Sequence, residues 1–150
     1  MCRGFAVALL ILVAPILLQA KGAEFKHTHI ECMLGMFPSS SPIRECRVLL
    51  HNSGDSTLYI ESIKSVCSCT TWSILSDTIA PQSTDTIVVQ YNGEHRWPGN
   101  FSRSILLSSN ASNSPLRITL SGYMYDDSGM SIPDSIPDEF QNIETIINYK

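Results

Sequence analysis

Positive charge is scarce in this sequence. Ten Lys and Arg stand against fourteen Asp and Glu, a net charge of −4. No basic stripe forms along the chain, which argues against a nucleic-acid partner. Catalytic signatures are missing as well. There is no Gly-x-Ser-x-Gly elbow, no glycine-rich phosphate loop and no His-Glu-x-x-His pair, so the common hydrolase, nucleotide-binding and metalloprotease patterns are excluded. No convincing amphipathic helix appears between residues 24 and 125, which removes the helical bundles. The one long apolar run, residues 5–18, is shorter than the ~20 residues of a spanning helix.

That run is what the chain has in place of an anchor. Met1, Cys2 and Arg3 precede it, Pro15 interrupts it, and the small residues Ala20, Gly22 and Ala23 follow it. This is the pattern of a secretory signal peptide, assigned to residues 1–23, with cleavage after Ala20, Gly22 or Ala23. Leu18-Gln19-Ala20 and Ala20-Lys21-Gly22 are both imperfect small-x-small sites. The expected product is exported, to the periplasm, the cell surface or the medium, and has no transmembrane segment. Cys2 leaves with the leader, and Cys32, Cys46, Cys67 and Cys69 stay. Four cysteines in an oxidising compartment allow two disulfides in three connectivities.

The remainder alternates with period two. In residues 25–34, Thr28, Ile30, Cys32 and Leu34 share one strand face, and His27, His29 and Glu31 the other. Residues 37–42 carry two prolines and three serines and read as a loop. Residues 43–51 form a second strand, with Cys46, Val48 and Leu50 on one face. A simple hairpin centred on Ser39 sets Cys32 opposite Cys46, and a Cys32–Cys46 disulfide is expected. Residues 57–66 form a third strand, which residues 67–75 continue with Trp72, Ile74 and Leu75 as apolar anchors. Further strands fall at 86–91, 101–109 and 116–124. About seven short strands with turns every eight to twelve residues predict an all-β, immunoglobulin-like β-sandwich over residues 24–125. The antibody Cys…Trp…Cys arrangement is absent. Residues 126–150 hold six acidic residues and one basic one and read as an acidic tail. Within it Phe140, Ile143 and Ile147 could line a short helix.

Three sets of residues could carry function. Cys67 and Cys69 are two apart, which in a straight strand puts their Cα atoms roughly 6.5–7 Å from each other. That is the upper limit for a disulfide, so a bond between them needs a turn-like backbone. The residues leave open a structural role, a reducible bridge with a redox role, ligation of Cu(I) and a covalent attachment site. His27 and His29 share a strand face, a spacing that suits either a metal or plain solvation. His95, Arg96 and Trp97 lie in a polar loop, and Arg and Trp are typical anchors of binding surfaces. The alternative is a Trp97 folded back over the sandwich end. No cofactor is implied.

One family carries these features in the same order. Asn52-Ser-Gly-Asp with Leu58 and Ile60, Val66-Cys-Ser-Cys-Thr70, Ile79-Ala-Pro81, Ile87-Val-Val-Gln-Tyr91, Gly99-Asn-Phe101, Ile105 to Asn110 and Leu116 to Gly122 resemble the family of domains of unknown function numbered 1573. That family occurs in exported bacterial proteins, many from Bacteroidetes. The resemblance implies an immunoglobulin-like fold akin to Hydin-type and major-sperm-protein domains, and no activity. Two positions depart from its pattern: Ser68 and Gln82 replace usual glycines, and Ser68 could restrict the Cys-x-Cys step. The expected function is a non-enzymatic exported module that contacts a protein or another envelope component through a sheet edge or the 95–97 loop. The alternative is a thiol-redox or Cu(I)-binding protein centred on Cys67-Ser68-Cys69.

Overall fold

The computed structural model describes residues 20–128. Most of the expected leader and the tail beyond Ser128, including its helix at Phe140, Ile143 and Ile147, lie outside the described residues. Eight strands form: β1 (His29–Pro38), β2 (Ile43–His51), β3 (Leu58–Ser65), β4 (Thr70–Ile74), β5 (Thr78–Ile79), β6 (Thr84–Asn92), β7 (Gly99–Ser109) and β8 (Leu116–Tyr125). They divide into a five-stranded sheet, ordered β1-β8-β7-β3-β5, and a three-stranded sheet, ordered β2-β6-β4. This is an immunoglobulin-like β-sandwich.

The alternation on β2, β6, β7 and β8 builds the core. Val48 and Leu50 on β2 and Ile87, Val89 and Tyr91 on β6 are buried on the smaller sheet. Phe101, Ile105 and Leu107 on β7 and Leu116, Ile118, Leu120 and Met124 on β8 are buried on the larger one. Burying one such aliphatic or aromatic side chain contributes about 1.5–3 kcal/mol, so the inward faces of these four strands supply most of the driving force. Phe37, Tyr91 and Phe101 close one end of the core, with Tyr91 stacked on Phe101 at 4.0 Å and Phe37 edge-on to both.

The first two strands do not form the expected hairpin. β1 runs parallel to β8 in the larger sheet, whereas β2 pairs with β6 in the smaller one. Cys32 and Cys46 are joined, with Cα atoms 6.4 Å apart, and the bond spans the two sheets instead of linking neighbouring strands. A disulfide closing a loop of this length stabilises by about 3 kcal/mol. The inward face of β1 also changes parity. Cys32 is buried, and then so are Gly35 and Phe37, because the register against β8 shifts between Met33 and Met36. Gly35 stands at φ 70° in that irregular stretch, a conformation that glycine alone adopts cheaply.

Nor does the third strand run on through residues 67–75, as the alternation suggests. The chain turns at residues 66–69 and crosses to the smaller sheet, where β4 pairs with β6. Trp72 and Leu75 therefore do not anchor the core: Trp72 is partly exposed and Leu75 is 94% exposed. Ile74 is half-buried against it. Beyond the turn, β5 returns to the larger sheet as a two-residue edge strand beside β3.

The strand registers divide the turns between two poles. Residues 20–28, the 52–57 turn, the 80–83 turn and the 110–115 turn meet at one pole. Its centre is Asn52, fully buried. The Asn52 amide nitrogen donates to the carbonyls of Ser56 (2.9 Å), Ile79 (3.1 Å) and Ala80 (3.2 Å). Its side-chain oxygen accepts from the backbone N–H of Gly54 (3.0 Å) and Glu24 (3.3 Å). Gly54 is required beside it, since a Cβ there would lie 2.0 Å from the Gly22 carbonyl oxygen and 2.9 Å from the Ala23 Cα. Asn113 acts similarly on Phe25, accepting from its N–H (3.0 Å) and donating to its carbonyl (2.8 Å).

Asn52→Ala leaves several backbone groups at this pole without partners. Each buried group left unsatisfied costs about 1–3 kcal/mol, so the variant is expected to lose at least about 3 kcal/mol of unfolding free energy in urea titration. A loss under half that would show that water replaces the amide.

Candidate functional site

The opposite pole brings together two of the three candidate sets, the Cys67–Cys69 pair and the loop of His95, Arg96 and Trp97. It consists of the β1–β2 turn, the 66–69 turn, the loop at residues 93–98 and the end of β8. The 66–69 turn is built by local hydrogen bonds. Thr70 N–H donates to the Cys67 carbonyl at 3.2 Å, the Ser65 hydroxyl donates to the same carbonyl at 2.9 Å, and Cys67 N–H donates to the Ser65 oxygen at 3.2 Å. This bend shortens the Cα distance between Cys67 and Cys69 to 5.1 Å, and the two are joined to each other. Both sulfurs are thus committed, and thiolate ligation of Cu(I) by this pair would first require reduction. Cys69 is buried and Cys67 half-exposed.

Ser68 does not strain the step. Among the described residues the non-glycine positions at positive φ are Gln82 and His95. Gln82 takes φ 55°, where the family pattern has glycine, and its amide offsets the strain by donating to the carbonyls of Ser53 and Gly54, both at 2.9 Å. Ser68 instead faces the neighbouring loop. Arg96 donates from its guanidinium to the Ser68 hydroxyl at 3.4 Å, and Asn92 N–H donates to the Cys69 carbonyl at 2.8 Å. The 93–98 loop turns through Arg96 N–H to the Gly93 carbonyl (3.0 Å), and Gly93 N–H is tied to the Pro42 carbonyl (3.0 Å).

Trp97 does not fold back over the sandwich. It is 95% exposed, and Val66, across the same pole, is 85% exposed. An open depression beside the disulfide is lined by Ser65, Val66, Cys67, Ser68, Thr70 and Trp72. Sequence reasoning found Cys67, Cys69, Arg96 and Trp97 but placed Val66 and Trp72 inside strands. Nothing in the periodicity reveals that the chain leaves the larger sheet at Val66. His27 and His29 are elsewhere, at the start of β1, where the His29 Nε2 lies 3.0 Å from the Thr119 hydroxyl. Among the described residues no group of three or more His, Cys, Asp or Glu is placed to hold a metal ion.

The sequence profile of a family described as "Protein of unknown function (DUF1573)" matches residues 24–124. The chain belongs to the DUF1573 family. Among solved structures it is similar to a protein of unknown function from Porphyromonas gingivalis W83, with a TM-score of 0.56 and 14% identity over 73% of this chain. The chain spans half the length of that protein. It is also similar to the ASH / PapD-like domain 7 of human CEP192, with a TM-score of 0.52 and 14% identity over 83% of this chain and 99% of that domain. These likenesses concern the fold. No curated protein matches the sequence. Among the described residues of this DUF1573 domain, no helix is long and apolar enough to cross a membrane.

The acidic segment begins at this same pole. Asp127 accepts from the Ser39 hydroxyl and the Ser40 N–H, each at 3.0 Å, and from the Ser40 hydroxyl. The Ser40 side chain leads these interactions in holding its carboxyl below the ordinary value of 3.8. A carboxylate depressed on folding stabilises fully above its unfolded pKa and loses that contribution as pH falls through its lower folded pKa. Acid titration should therefore weaken the wild type below about pH 4 more steeply than an Asp127→Asn variant; parallel curves would show that the turn holds without the charge.

The two disulfides are expected to differ in reducibility. Each bridge has one buried cysteine, Cys32 or Cys69, and one partly buried, Cys46 or Cys67, but only Cys67 borders the open depression beside the 66–69 turn. Attack on a disulfide requires access to a sulfur, and a three-residue loop constrains the unfolded chain less than a long one. Differential alkylation under mild dithiol should label Cys67 and Cys69 first, with the fold retained. Simultaneous labelling of all four would contradict this assignment.

Proposed function

We propose that this DUF1573 domain is an exported, non-enzymatic binding module that docks a protein of the cell envelope on the pole formed by the 66–69 turn and the 93–98 loop. The observation that carries the reading is Trp97, 95% exposed on a loop held to the Cys67–Cys69 turn by Arg96. An indole free of the core, an adjacent guanidinium and the apolar Val66 are the side-chain types that dominate binding energy at interfaces. The turn beneath them is fixed by a covalent bond and backbone hydrogen bonds, so little ordering cost falls on association. Export rests on the leader pattern of residues 1–23, and two disulfides suit an oxidising compartment.

A thiol-redox role is the second reading. It is favoured by the half-exposed Cys67 at the rim of the open depression. In that case Cys67–Cys69 exchanges with a partner dithiol, and the apolar side chains position the partner.

A photo-crosslinking residue placed at position 97 in the full chain, in its native envelope, should give one discrete protein adduct. The same residue at position 112, on the opposite pole, should not. The adduct should be lost on Val66→Asp, which alters the exposed pole and leaves the core intact. An adduct that survives Val66→Asp, or equal adducts from both positions, would overturn the docking pole. An adduct trapped as a mixed disulfide through Cys67 would move the redox reading to first place.

A further inference from the structure

The residues flanking the expected cleavage sites belong to the folded domain, and they distinguish between the sites. Lys21 N–H donates to Asp55 Oδ2 at 2.6 Å, and Gly22 N–H donates to Asp55 Oδ1 at 2.9 Å. Asp55 N–H returns a hydrogen bond to the Gly22 carbonyl at 3.0 Å. One carboxylate thus clasps two successive backbone nitrogens while its own backbone completes the ring. Ala23, the next residue, is 6% exposed and its carbonyl accepts from Ser112 N–H at 3.0 Å. Gly54 packs its backbone directly on residues 22–24. The Lys21 side chain pairs with Glu24.

We infer that the leader is removed between Ala20 and Lys21, and that Asp55 is the receptor for the α-ammonium this cleavage creates. The inference deepens the export reading above and rests on it. The step is hydrolysis by a signal-peptidase-type enzyme: water adds across the Ala20–Lys21 peptide bond, Ala20 keeps the new carboxylate and Lys21 the new amine. Protonated at neutral pH, that amine presents a positive charge to Asp55 Oδ2, where the intact chain presents a neutral amide. A charge-assisted hydrogen bond is shorter and stronger than a neutral one.

The other two sites fit poorly. Cleavage after Gly22 removes both nitrogens that Asp55 holds and the carbonyl that its N–H needs. It also leaves an ammonium on Ala23, a buried residue, and an unpaired buried charge is costly. Cleavage after Ala23 removes in addition a buried side chain and the acceptor of Ser112. Ala20-Lys21-Gly22 matches the small-x-small rule better than Leu18-Gln19-Ala20 does, so the sequence pattern and the folded contacts point to different bonds. The folded contacts favour the one that keeps them all.

Intact mass of the exported full-length gene product is the test. A mass beginning at Lys21, with four cysteines oxidised, is expected. A mass beginning at Ala23 or Glu24 overturns the assignment and leaves export standing. A mass that includes Met1 overturns both. A second arm tests the receptor. The 21–150 chain with a free α-amine is compared with its Nα-acetylated form, each with Asp55 and with Asp55→Asn, by urea titration. Acetylation should lower the native-to-unfolded ratio by a few-fold when Asp55 is present, on the scale of an exposed ion pair, and by less when Asn replaces it. Equal effects in both backgrounds would remove Asp55 as receptor.

Discussion

The side-chain amide of Asn52 is the interaction on which the rest of this domain depends. It sits at zero exposure and serves five backbone groups from three segments that the chain brings together only when folded. Backbone polar groups cannot be buried without partners, and a turn that plugs the end of a sandwich buries several. A hydrophobic residue there would exclude water but leave those groups unpaired. A charged one would add a desolvation cost. An amide offers donors and an acceptor with no net charge, which explains why the pole can be closed by a compact turn with Gly54 pressed against residues 22–24.

The Cys32–Cys46 bond complements this at the level of the sheets. Aliphatic burial holds two sheets face to face without fixing their relative position closely, because the hydrophobic effect is non-directional. A covalent link between β1 and β2 selects one arrangement. It also ties down β1, an edge strand of the larger sheet that pairs only with β8. With one pole closed by Asn52 and the sheets stapled, the other pole can carry exposed apolar side chains on short turns without depending on them for stability. Trp97 and Val66 contribute nothing to the core, which is the condition for a surface that is free to bind.

The likeness to the Porphyromonas protein and to the CEP192 domain, at 14% identity, is one of fold. Fold alone does not assign function. The binding and redox readings both arise at the same pole because the β4–β6 pairing sets the 66–69 turn, with its Cys67–Cys69 pair, beside the loop that carries Arg96 and Trp97.

Period-two alternation determined a great deal by itself. The strand class, the inward faces of β2, β7 and β8 and the bounds of β2 followed from which residues are apolar at every second position, a local property of a pleated chain. The turn residues around Asn52 and the bend required between Cys67 and Cys69 were legible for the same reason: backbone geometry over three or four residues constrains them. What the alternation could not contain is which sheet a strand joins. The β1–β2 hairpin, the run-on of the third strand through Leu75 and the inward role of Trp72 all failed there. Sheet membership depends on pairing between residues far apart in the chain, and a single irregularity such as that near Gly35 reverses a strand's faces. Only the tertiary structure decided that Cys32–Cys46 spans the sheets, that Asn52 serves groups from three segments, and that Arg96 meets Ser68, because each of these contacts joins parts of the chain that no local rule relates.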